Sequence, residues 1–143
     1  MLNPPKERFS EVLYRLGMRH LERGTIDKSI ALLREVTGRR AQPKDWHDKA
    51  RALNGLREVY EKTGQKEECK ECCFAIKSIY QGVLTDNNKL KEIKDAKIKF
   101  ENATKEILPN TKNSLERIGL TSDAEQVDDI LEELKRKITA ESE

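Results

Sequence analysis

Residues 13–36 read LYRLGMRHLERGTIDKSIALLREV, and residues 53–76 read LNGLREVYEKTGQKEECKECCFAI. Laid over one another at a separation of 40, they place Gly24 on Gly64, Leu13 on Leu53, Leu16 on Leu56 and His20 on Tyr60. The same shift puts Ser29 on Cys69, Leu33 on Cys73 and Val36 on Ile76, each pair matching in size or polarity. Apolar residues recur at steps of three and four on both sides of each glycine, the period of a helix with one buried face. Glycine at the junction can take the left-handed backbone conformation that ends one helix and starts the next. A small side chain at Ser29 or Cys69 lets the two helices approach closely. One such hairpin cannot bury its own apolar face, so the two copies are expected to stack.

Outward from this core, Asn3-Pro4-Pro5 is a helix start, and Phe9, Val12, Leu13, Leu16 and Leu21 predict helix 1 over 6–23. Thr25 is placed to cap helix 2, whose stripe of Ile26, Ile30, Leu33 and Val36 ends before Gly38. A polar stretch containing Pro43 leads to Asp45, the expected cap of helix 3, which runs through Trp46, Ala50, Leu53, Leu56, Val59 and Tyr60 to Gly64. Helix 4 follows over 66–81 with Cys69, Cys73, Ile76 and Tyr80 on one side. Asp86 opens a longer helix to residue 108, in which Lys97 interrupts a seam of Leu90, Ile93, Phe100, Ala103 and Ile107, and Pro109 is its expected stop. A short helix over 112–118 closes at Gly119. Ser122 and Glu125 form a capping box ahead of Val127, Ile130, Leu131, Leu134 and Ile138, and the tail after Thr139 is expected to fray.

The expected architecture is all-α: two stacked hairpins over 1–82, a capping or coiled-coil helix over 83–109, and a short C-terminal helical segment over 110–143. Composition agrees, since 36% apolar against 38% charged residues means much wet surface over little dry core, the balance of a thin helical array. Charge is uneven along the chain. Residues 1–60 carry 13 Lys and Arg against 8 Asp and Glu, a net of +5, while 61–143 carry 15 against 18, a net of −3. No apolar run approaches the roughly 18 residues that cross a bilayer, and MLNPPKERF lacks the apolar core of a secretory signal, so no membrane insertion and a cytoplasmic location are expected. Cys69, Cys72 and Cys73, an odd number within five positions, do not lay out a disulfide framework.

The two segments resemble the tetratricopeptide repeat. Leu16-Gly17 is similar to its Leu-Gly pair, Tyr60 to its aromatic, Gly24 and Gly64 to its hairpin turn, and Ser29 and Cys69 to its small residue on the second helix. The resemblance covers about residues 9–80 and departs from the pattern in a separation of 40 instead of the family's ~34, in Arg57 where a small residue stands after the leucine, and in His20 for an aromatic. Related helical-pair repeats, such as those of soluble NSF attachment proteins and kinesin light chains, share these features. The family's binding groove is lined by the first helix of each pair. Carried over, that implies partner-binding positions at Glu11, Tyr14, Met18 and Glu22 on helix 1 and at Arg51, Asn54, Glu58 and Glu61 on helix 3. Members that hold chaperone tails grip a terminal carboxylate through a Lys-x-x-x-Asn element on the first helix; Tyr14 and Met18 occupy those places here, which disfavours that ligand.

Other motifs read as structure. Cys69, Cys72 and Cys73 have no second Cys or His pair at zinc spacing, His20 and His47 being isolated, so no metal is expected; Cys69 and Cys73 are core positions and Cys72 is the one expected to be exposed. Trp46-His47 is expected to seal the end of a hairpin. Arg39, Arg40 and Lys44 could meet phosphates, but scarce aromatics and a near-neutral total argue against nucleic acid as a partner. Without a Gly-rich phosphate loop, a nucleophile elbow or His/carboxylate metal spacing, the chain is not expected to be an enzyme or to carry a cofactor. The function expected is that of an adaptor or scaffold holding a peptide or helix of a partner protein. The alternatives are a subunit or homo-oligomer joined through the seams at 86–108 and 123–139, and weak nucleic-acid binding through the basic half.

Overall fold

The computed structural model describes the backbone of residues 6–38 and 46–140 and the side chains of 11–38 and 46–139. The expected start signal at Asn3-Pro4-Pro5, the side chain of Phe9, Arg39, Arg40, Pro43, Lys44 and the cap at Asp45 lie outside the described residues. Within them the chain is helical and holds no strand. The helices are α1 (Lys6–Arg23), α2 (Ile26–Gly38), α3 (Trp46–Lys62), α4 (Lys66–Leu84), α5 (Asn87–Asp95), α6 (Lys97–Glu101), α7 (Leu108–Ile118) and α8 (Thr121–Ala140). A π-helical turn, Asn102–Ile107, joins α6 to α7, so 97–118 is one rod.

Three turns organise the chain. Gly24, Gly64 and Gly119 have φ of 80°, 74° and 93°, a region open to glycine at little cost. At each, the next amide bonds back to the carbonyl five residues earlier: Thr25 to His20 at 2.9 Å, Gln65 to Tyr60 at 2.8 Å and Leu120 to Leu115 at 2.9 Å. This closure satisfies the last carbonyls of α1, α3 and α7 and folds α2, α4 and α8 back onto them. Two of these hairpins coincide with the aligned segments; the third, α7 with α8, lies outside them. A small residue follows each glycine by five positions, Ser29, Cys69 and Ala124, and all three are buried.

The hairpins stack in series. α3 packs chiefly on α2 and more lightly on α1, and α7 repeats this on α4 and α3. In the first hairpin the close approach is visible in atoms: a Cβ added at Gly17 would lie 2.8 Å from Leu33 Cγ, and the Ser29 hydroxyl donates to the Gly17 carbonyl at 2.7 Å. The Leu-Gly pair and the small second-helix residue are thus two sides of one contact. The third hairpin is stitched on by Lys77 of α4, which reaches Asp123 at 3.4 Å and Gln126, and by Lys137 of α8, which donates to the Leu84 carbonyl at 3.0 Å. A single apolar core runs from Leu13 to Ile138.

The expected helix over 86–108, stopped at Pro109, is corrected in two ways. It starts as anticipated, since the Asp86 carboxylate accepts from the amides of Asn88 and Lys89 at 3.0 and 3.3 Å. It then breaks at Ala96, whose backbone is extended at φ −125° and ψ 95°. A straight helix would carry Lys97 along the seam of Leu90 and Ile93; the break leaves Lys97 exposed instead. Glu92 holds the corner, accepting from Trp46 Nε1 at 2.9 Å and pairing with Lys99 at 3.6 Å. Pro109, finally, does not stop the rod. The π turn restarts the α-helix with Pro109 in its first turn, where the missing amide and the ring are tolerated. The short helix expected over 112–118 is therefore the end of a longer one. Likewise α8 begins at Thr121, directly after the glycine turn, so Ser122 sits within its first turn and not at its cap.

Cys72 is also corrected. It is buried, because α4 is covered by α3, α7 and α8 together, and burial pushes its thiol up to about 12. Its spacing to Ile76 and Val83 already placed it on the buried stripe. Trp46 sits in the core with its ring edge-on to Tyr80 at 6.1 Å and to His47 at 5.5 Å.

Candidate partner-binding surface

The first helices of the three hairpins, α1, α3 and the rod ending in α7, lie side by side with α3 in the middle. Their outward faces form one surface, and its centre is a pair of predicted residues. The Arg51 guanidinium of α3 lies over the Tyr14 ring of α1, 4.1 Å from its centroid. Burial raises the Tyr14 phenol's pKa, Arg51 opposes that rise, and the carboxylates of Glu106 and Glu58 add to it. Glu106 comes from the π turn on the far side of α3.

The neighbouring predicted positions divide into two groups. Met18 packs partly into the core where α3 carries Gly55; a Cβ there would come within 2.8 Å of the Met18 sulfur. Asn54 is half-buried beside it, its carboxamide oxygen accepting from Arg57 Nε at 3.1 Å. Glu58 is half-exposed and pairs with Lys62 at 3.7 Å, and Glu11 pairs with Arg15 at 2.8 Å. Glu22 is exposed at the end of α1, two turns from Tyr14.

Glu61 turns away from this centre. It accepts from the Ser114 hydroxyl at 2.5 Å and pairs with Arg117 at 2.5 Å, both on α7, and with Arg57 at 3.8 Å. Burial raises its carboxyl pKa, but Ser114, Arg117 and Arg57 outweigh that and hold it below the usual value. Arg57 is itself buried and donates to Ser114 Oγ at 2.7 Å. The arginine that replaces a small residue in the repeat pattern is thus a tie between the second hairpin and the third.

Sequence reasoning missed Glu106, because a helix stopped at Pro109 does not carry residue 106 into a rod packed on α3. Ile130 and Leu134, on the stretch over 123–139 that the alternative reading set against another chain, are buried within this one. Among the described residues no group of three or more His, Cys, Asp or Glu side chains is placed to hold a metal ion, and no helix is long and apolar enough to cross a membrane. No protein-family profile, curated protein or solved structure matches the chain.

Proposed function

We propose that this chain is a tetratricopeptide-like adaptor that holds a peptide or helix of a partner protein on the concave face of its first-in-pair helices. The observation that carries this is the Tyr14–Arg51 stack, half-exposed at the centre of that face, with Asn54 and Glu58 following Arg51 on the same helix. Stacking holds the guanidinium in place before any ligand arrives, so its donors can meet a backbone carbonyl or a carboxylate with little loss of side-chain freedom. Tyr14 and Met18 supply contact area that adapts to an apolar side chain. Three glycine-closed hairpins on one continuous core give the surface a rigid backing.

The test is recovery of the natural partner on the intact chain, repeated with Arg51→Glu and with Asn54→Ala. Both positions are partly exposed, so circular dichroism should stay native while capture falls about tenfold or more for Arg51→Glu, the usual effect at the centre of an interface. Undiminished capture by both variants would show that the partner sits elsewhere.

A further inference from the structure

The stack repeats itself closely enough to show what one of its open faces is shaped to receive. On α3, the side turned to the preceding hairpin carries Ala52, Gly55, Leu56 and Val59, and it is covered chiefly by α2, with Met18 of α1 also against Gly55. Ala52 is 0% and Leu56 3% exposed, and a Cβ on Gly55 would come within 3.1 Å of Leu33 of α2. Forty residues earlier the same positions on α1 are Val12, Arg15, Leu16 and Arg19. Val12 is 46% and Leu16 38% exposed, two of the four large apolar side chains that stand exposed among the described residues. Arg15, Arg19 and Arg23 flank them, all exposed, with Arg15 tied back to Glu11.

We propose that this face of α1 docks an acidic amphipathic helix of a partner protein, seated on α1 as α2 is seated on α3. Its apolar residues cover Val12 and Leu16, and its carboxylates face Arg19 and Arg23. Charge complementarity selects this occupant over a second copy of the chain. Two α1 faces brought together would set arginine against arginine. The outer face of α8, which ends the stack at the other side, offers Ser122, Glu125, Asp129, Glu132 and Arg136 but no apolar residue to cover Val12 and Leu16. α2 is already occupied by α3.

The probe is a fluorescent peptide of residues 25–38 with Lys28→Glu and Arg34→Glu, which keeps the second-helix stripe and makes its polar face acidic. A peptide with the native Lys28 and Arg34 is the comparison. Titrated with the intact chain, the acidic peptide should saturate below millimolar and bind about tenfold tighter than the native one. Leu16→Glu should weaken it about tenfold or more, as expected for losing a buried leucine and adding a repelling charge. Arg19→Glu with Arg23→Glu should do the same, whereas Arg51→Glu should change nothing, which separates this face from the concave surface. All altered side chains are exposed or half-buried, so circular dichroism should stay native. The proposal is overturned if no saturable binding is seen, if both peptides bind equally, or if Leu16→Glu is without effect. It is also overturned if the arginines capture phosphatidylserine vesicles but not the peptide, which would make the face a lipid contact.

Discussion

His47 gives the fold a pH dependence that can be worked out in advance. Its ring is buried beside Trp46, and among the described residues Nδ1 has no hydrogen-bond partner. Burial is the main reason that its pKa falls from 6.5 to about 3, and the positive charges of Arg51 and Lys99 push the same way. The folded state therefore refuses a proton that the unfolded chain accepts below pH 6.5. Stability is full above 6.5 and falls as the pH drops from there toward 3. At pH 5 the unfolded chain gains about 1.5 pH units of protonation free energy, or about 2 kcal/mol. With a urea dependence of roughly 1–3 kcal/mol per molar, the midpoint followed by far-ultraviolet circular dichroism should drop by about 1 M between pH 7.5 and pH 5. Glu61, held below its usual value, loses its contribution only as the pH falls below about 4.5, so it is silent in this window. His47→Phe keeps the ring in contact with Trp46 and removes the titration, and should flatten the profile between pH 6 and 5, below the range in which the Cys69 thiol, lowered to about 7, titrates. A wild-type midpoint that does not move, or a slope that survives His47→Phe, would refute this assignment.

Two further outcomes follow from the packing. Gly17→Ala should destabilise by about 1–3 kcal/mol, because its Cβ would meet the branch point of Leu33 at 2.8 Å, whereas Gly82→Ala, with nothing within 4 Å, should stabilise by roughly 0.5–1 kcal/mol; urea denaturation of both separates crowding from helix propensity. Arg57→Met should cost about 1–3 kcal/mol by leaving Ser114 Oγ and Asn54 Oδ1 without their donor, while Glu61 keeps the Ser114 hydroxyl and Arg117; a double mutant with Glu61→Gln should show a coupling of at least about 0.5 kcal/mol, and an additive double mutant would mean that Arg57 and Glu61 do not act as a pair.

How far the sequence could be read depended on whether its rules were local. α1 to α4 were legible because Gly24 and Gly64 punctuate matching apolar stripes at one fixed separation. The third hairpin was hidden by the insertion of α5 and α6, which carries Gly119 to 55 residues past Gly64 and defeats a search at 40. Aligning on the glycines alone would have found it, since Ala124 stands where Ser29 and Cys69 stand. Pro109 misled because the rule that proline ends a helix assumes an unbroken α-helical ladder, and a π turn resets that ladder. On the surface, the helical register of Tyr14, Met18, Arg51, Asn54 and Glu58 was readable. The stacking of Arg51 on Tyr14 and the capture of Glu61 by α7 were not, because both depend on how hairpins meet.

Arg57 links these two levels. In the first hairpin the equivalent position is Gly17, whose lack of a side chain lets α2 close down on α1. In the second, Arg57 passes from α3 to Ser114 on α7 and joins Glu61 and Arg117 in one network. Apolar packing between α4 and α7 would tolerate small slides of the third hairpin, since hydrophobic contact is not directional. A buried guanidinium is less forgiving, because its hydrogen bonds are lost within a fraction of an ångström and leave a stranded charge. The network therefore fixes the register of the rod on α3. The departure from the repeat pattern at residue 57 is in this way what ties the first helix of the third hairpin to α3.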